Sequence, residues 1–237
     1  METLLVGLLK LPLIGPVVNA LCAWQYRLVA AAMRRARRHE VRPREWSNRE
    51  LAKIAGQFEG AVINVSGWRD EDQRGGHYRD YFSRASAYAV SNFKGTKGME
   101  DQSGDAVFID LEEDLPAELR GKYQVAYNHT TLEHVFEIHK AIENICALSH
   151  DTVILVTPFL QSVHFEEGAF GDYWRPTPMC LSRILETNGF TTVYQSSNDN
   201  PWHYAYIFTV AVRDPKTSAC KTAPLSVPLV GSGHFSV

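Results

Sequence analysis

The chain has 237 residues, 45% of them hydrophobic, with 24 Lys and Arg against 27 Asp and Glu for a formal net charge of −3. The apolar share supports one large domain with extensions, and the charge balance excludes a global basic field for nucleic acid. Cys22, Cys146, Cys180 and Cys220 are scattered without a CxxC pair; this argues against a structural zinc site, so no metal is expected, and a reducing compartment fits best.

In chain order, the arm from Met1 to Met33 is the most apolar part, interrupted by Lys10, Pro12 and Pro16. Its longest uncharged run, Leu11–Tyr26, is too short and too proline-rich for a membrane span. Glu2 leads, and Arg34, Arg35, Arg37 and Arg38 follow the apolar part, which is the wrong order for a signal peptide. Two readings stay open. Residues 1–38 lie on an anionic membrane surface at its cytoplasmic face, or they form a helical arm packed on the domain or on a second subunit in a homodimer. Arg42–Arg49 reads as a charged linker, and Asn48–Phe58 as a short helix ended by Gly60.

Gly60–Ser66 is the first expected strand, running into Ser66-Gly67-Trp68 and a long polar loop. Ala87–Ser91 and Ala106–Ile109 are the second and third strands, ending at Asn92 and Asp110. A Gly- and Lys-rich loop, Phe93–Gly104, lies between them. The stretch Tyr123–Phe159 reads as strand, loop, helix, strand: a βαβ unit, hence a parallel sheet. Its helix is expected to start near Leu132, with Thr130 or Thr131 as N-cap, and Thr152–Val156 is the following strand, closed by Pro158. Strand ends therefore deliver Ser66, Asn92, Asp110 and Asn128 along one edge, where an open α/β sheet places its ligands. Beyond Pro158 a long loop carries His164, Glu166, Glu167, Asp172, Tyr173, Trp174 and Arg175, and reads as a substrate wall or as a loop shaped by an Asp–Arg pair. Thr177 is the expected N-cap of a helix with Pro178 at its first position, and Gly189 stops it. Phe190–Gln195 and Tyr204–Val212 read as an antiparallel hairpin. The domain boundaries expected are 1–45, 46–213 and a Pro/Ser/Gly-rich tail at 214–237.

The element order, with INVSG at 63–67, DLEEDLP at 110–116, YNHTTLEHV at 127–135 and DYWRPTPMCLSRILETNGF at 172–190, resembles a class I S-adenosylmethionine (SAM)-dependent methyltransferase. Within that class it is similar to a methyltransferase-domain group found near glycan and cell-surface polysaccharide genes, and the likeness covers about 58–212. It implies a Rossmann-like α/β fold, a seven-stranded mostly parallel sheet with the last strand inserted antiparallel, and SAM across the first four strand ends. By position, the resemblance puts Ser66 and Gly67 near the methionine moiety and Asn92 at the ribose. It puts Asp110 and Leu111 beside the adenine, and Asn128 and His129 at the methionine end. The chain departs from the family in two places. N-V-S-G-W-R replaces an acidic residue followed by G-x-G-x-G, and Ser91-Asn92 stands where a carboxylate accepts from both ribose hydroxyls.

Two functions follow. One is methyl transfer from SAM to an oxygen or nitrogen nucleophile on a small molecule, a glycan or a lipid-linked glycan. His134 or His164 would be its base, Asp172 would orient that base, and Arg175 would hold an anionic group. The other is a binding or scaffold module on the same fold that has lost the cofactor. An NAD-dependent oxidoreductase is disfavoured, because no G-x-G-x-x-G is present.

Overall fold

The computed structural model describes residues 14–36, 42–93, 107–198 and 205–220. The expectations for the start of the arm, for 94–106, for the turn at 199–204 and for the tail beyond 220 lie outside the described residues. The chain divides into two compact units, Met1–Arg42 and Pro43–Val237.

The first unit contains helix α1 (Ile14–Ala36). Val17, Leu21, Trp24 and Leu28 recur at helical spacing on one stripe, and all four are exposed. Among the described residues, no helix is long and apolar enough to cross a membrane.

The second unit is built on strands β1 (Ala61–Val65), β2 (Ala87–Asn92), β3 (Val107–Phe108), β4 (Tyr123–His129), β5 (Ser149–Leu160), β6 (Thr191–Ser197) and β7 (Ala205–Val212). They form one seven-stranded sheet in the order β3-β2-β1-β4-β5-β7-β6. The first five pair in parallel, and β7 enters antiparallel between β5 and β6.

Both faces of this sheet are covered, which is why its strands read as continuous apolar runs instead of alternating ones. One face carries Ile63, Val65, Ala126, Val153 and Leu155 against helices α4 (Ile138–Leu148) and α5 (Pro178–Thr187). The other carries Val62, Val125, Tyr127, Ile154 and Phe208 against helix α2 (Pro43–Ile54), with Tyr78 of the one-turn helix α3 (Tyr78–Tyr81) and Phe82. Buried Cys146 packs in the first cluster as a free thiol, and burial pushes its pKa up to about 12.

Several boundaries differ from those expected. Residues 43–49 are not a linker but the first turns of α2, with Pro43 in its N-terminal turn, where a missing N–H costs nothing. β5 starts at Ser149 and runs through Pro158. Its pairing with β4 ends at Val156, so beyond that point only β7 is its partner and proline is tolerated. The helix expected from Leu132 starts at Ile138 instead, after a 3-10 turn at Leu132–His134. The Glu133 carbonyl, which a continuous helix would bond to the Glu137 N–H, accepts from the Tyr173 N–H at 2.7 Å. The Glu137 N–H donates to the Glu112 carboxylate at 3.0 Å. Neither threonine caps this helix: Thr130 has a left-handed backbone, φ 48°, and Thr131 makes no capping bond. Thr177 does cap α5, its hydroxyl accepting from the Cys180 N–H, with Pro178 next.

Candidate active site

The strand order reverses direction between β1 and β4, so the carboxyl ends of these two strands bound the crevice where such a sheet binds ligands. Two loops meet there, one after β1 and one after β4.

The β1 loop is knitted to the end of β2. The Ser66 N–H donates to the Ser91 hydroxyl at 3.0 Å and the Gly67 N–H to the Ser91 carbonyl at 3.0 Å. Buried Asn92 uses both ends of its amide on Trp68, accepting from its N–H at 2.7 Å and donating to its carbonyl at 3.2 Å. Ser66, Trp68, Asp70 and Gln73 all have positive φ. Such strain persists only where surroundings enforce it. Here buried Asp70 enforces it, accepting from Asn64 Nδ2, from the Tyr88 hydroxyl and from the Arg79 N–H. Gly67 sits on Asn64, leaving no room for a Cβ.

At the end of β4, Asn128 and His129 point to opposite faces, as the two-residue period of a strand requires. Asn128 donates to the Val65 carbonyl at 2.9 Å, and its Oδ1 is buried with no partner among the described residues. His129 is held on the α2 side, Nε2 at 2.8 Å from the Ser47 hydroxyl and Nδ1 at 3.0 Å from the Thr130 hydroxyl. Burial, and secondly the Arg44 charge, hold its pKa well below the usual histidine value, so the ring is neutral.

The β4 loop, with Glu133 and His134, meets the long loop after β5, with His164, Asp172 and Arg175, in one cluster. His134 Nδ1 lies 2.6 Å from the Gly171 carbonyl, which can only accept; Nδ1 therefore carries the proton and Nε2 a lone pair. Nε2 is 3.6 Å from Glu133 Oε1. Glu133 is buried, its Oε2 has no partner among the described residues, and burial pushes its pKa up to about 8. Burial also lowers the pKa of His134. The His164 ring lies 5.5 Å from that of His134, with Phe170 against both.

Asp172 does not orient an imidazole. It accepts from the His164 backbone N–H at 2.6 Å and from both terminal nitrogens of Arg175 at 2.5 and 2.7 Å. Bonding to Arg175 holds its carboxyl below the usual range. Arg175 also donates to the Trp174 and Ser162 carbonyls, so its charge is neutralised inside the loop.

Asp110 and Leu111 follow β3. Leu111 is buried, and one Asp110 oxygen accepts from the Glu112 N–H at 2.9 Å. The other has no hydrogen-bond partner among the described residues.

The sequence places Glu133 in the loop after β4 where function is expected but gives it no role there, and it gives Arg44 none. Glu133 looked like a residue in the first turn of a helix. Arg44 looked like part of a linker, yet its Nη2 donates to Thr130, 86 residues away in the chain, at 3.0 Å. The buried carboxyl of Glu133, with Oε2 unpartnered among the described residues, becomes visible only once the loop after β5 is folded against it.

No protein-family model matches the sequence, and no curated protein matches it. Among solved structures, one assigned as an S-adenosylmethionine-dependent methyltransferase from Listeria monocytogenes is similar at a TM-score of 0.51 and 12% identity, over 71% of this chain and 98% of that one. A geranyl diphosphate methyltransferase, solved with GPP and sinefungin, is similar at a TM-score of 0.50 and 9% identity, over 70% of this chain and 77% of that one. Identities this low speak to the fold alone. The central parallel strands, the order of all seven and the antiparallel insertion of β7 give this chain the class I methyltransferase fold.

Proposed function

We propose that the chain transfers a methyl group from SAM to a hydroxyl or amine acceptor. The observation that carries this reading is Glu133: a buried carboxyl with an unpartnered oxygen, beside a neutral histidine lone pair, next to the crevice at the end of β4. Buried titratable groups of this kind are the expected equipment for proton transfer.

The residues present fit the cofactor at three of the four strand ends. The orphaned Asn128 Oδ1 wants a donor, which the amino group of a methionine moiety supplies. The Asp110 oxygen left without a partner among the described residues suits an adenine amine, and Gly67 lets the backbone approach closely. Asn92 fits less well, because Trp68 occupies its amide. SAM, when bound, supplies an electrophilic methyl on a sulfonium sulfur. The chain's own work is positioning and proton removal. Glu133 Oε2 accepts the proton that the acceptor oxygen or nitrogen loses. His134 Nε2 faces Oε1 and shares that proton, while the Gly171 carbonyl fixes the ring. Phe136, Tyr173 and Trp174 are exposed beside Glu133 and offer aromatic faces to an acceptor. Glycan hydroxyls are therefore the first acceptor class to assay.

Asp110→Ala is expected to weaken binding of SAM and S-adenosylhomocysteine by about tenfold, the worth of one hydrogen bond to a charged group, with unchanged thermal unfolding. Undiminished binding would overturn this placement of the cofactor. The Asn92 amide, held at both ends by Trp68, favours a second reading, a module on this fold that binds no cofactor. A folded chain that ignores both nucleosides would select it.

A further inference from the structure

Resting on that reading, we infer that Arg44 anchors an anionic acceptor: its guanidinium takes a carboxylate or phosphate group and so places the nucleophile beside Glu133. Arg44 lies at the start of α2 and is half-buried. It donates to the Tyr78 hydroxyl and to the Thr130 hydroxyl, each at 3.0 Å. Both partners are neutral, and among the described residues no carboxylate pairs with Arg44. Three of its five N–H donors remain for a ligand.

Burial works against the Arg44 charge, and the tyrosines around it, Tyr78 first, hold its pKa up, but among the described residues no carboxylate completes an ion pair with it. His129, on which Tyr78 and Tyr206 pack at 5.7 and 5.8 Å between ring centres, is neutral. Glu133 is the nearby acid, and with its pKa near 8 it too is neutral at pH 7. Arg175, on the loop after β5, is committed to Asp172, and Arg79, beside the β1 loop, pairs with Asp70. The planar fork of Arg44 matches the two oxygens of a carboxylate or phosphate, and the Tyr78 and Thr130 hydroxyls frame it.

The test uses the full chain without SAM, titrated with inorganic phosphate and, separately, acetate, while the Arg44 Nε–Hε resonance is followed by NMR. The expected result is a saturable shift of that resonance with at least one of the two anions, and the stronger response names the acceptor's group. Arg44→Gln should weaken the binding by about tenfold. Arg44→Lys should retain part of it, and Arg183→Gln, on the exposed face of α5, should change nothing. An unmoved resonance in the wild-type protein overturns the proposal whether or not Arg44→Gln folds. So does undiminished binding by a folded Arg44→Gln. Cofactor binding is measured separately, so a chain that binds SAM but ignores both anions sinks only this inference.

Discussion

Glu133→Gln is expected to slow methyl transfer by about 10²–10⁴-fold and, at alkaline pH, to make the protein more stable than its parent. The carboxyl has an ordinary pKa of 4.5 and a folded value of about 8. Between these values the folded state holds a proton that the unfolded state has released. Stability from this group is therefore complete below about pH 4.5, falls as pH rises, and is gone above about 8. The loss amounts to roughly 3–5 kcal/mol. Glutamine has nearly the same shape and does not titrate. Denaturant unfolding at about pH 5 should show the two proteins alike, and at about pH 9 the variant should be ahead by a few kcal/mol. Activity moves the other way: removing a general base costs about 10²–10⁴-fold. In the parent, the rate should climb as pH rises through about 8, where Glu133 ionises. Equal pH slopes for the two proteins would show that Glu133 is already ionised at neutral pH, and the proton-transfer role would fall with it.

Gly67→Ala is the second large effect. A Cβ there would lie 2.5 Å from Asn64 Nδ2, 2.6 Å from Asn64 Cγ and 3.0 Å from Val90 Cγ1. Asn64 cannot yield freely, because it is buried and donates to Asp70 at 2.7 Å. Asp70 in turn holds the Tyr88 hydroxyl at 2.7 Å and the Arg79 N–H at 3.0 Å. One methyl group therefore unseats the network that keeps the β1 loop in its left-handed conformation. Overpacking of this kind costs about 1–3 kcal/mol, more where it strands a buried carboxylate. Thermal unfolding should fall by several degrees, and nucleoside affinity should fall with it, because the loop forms one wall of the crevice. A Gly67→Ala protein with parental stability would mean that Asn64 and Val90 move aside, and that the loop is softer than its hydrogen bonds imply.

The fold was legible because parallel strands buried on both faces leave apolar runs such as AVINV and VILV, each followed by a polar residue at its carboxyl end. Ser66, Asn92, Asp110 and Asn128 could be aligned on that basis, and they lie at the carboxyl ends of β1 to β4, Ser66 and Asp110 just beyond their strands and Asn92 and Asn128 within the last two residues of theirs. The chemistry was less legible. Apolar spacing from Leu132 to Leu148 looks helical throughout, and nothing local reveals that the Tyr173 N–H captures the Glu133 carbonyl and delays the helix. Asn128 and His129 are neighbours in sequence but serve opposite faces of the sheet. Arg175 and Arg44 are equally cationic on paper. Which one is taken up by a carboxylate depends on Asp172, three residues from the first and far along the chain from the second, whose described partners are hydroxyls.

The most direct measurement is calorimetric titration of the purified full-length protein with S-adenosylhomocysteine and SAM. Saturable micromolar binding of either, one site per chain, is the result expected. No binding at millimolar nucleoside, by a protein that unfolds cooperatively, would contradict the enzymatic account and leave a module on this fold that works without the cofactor.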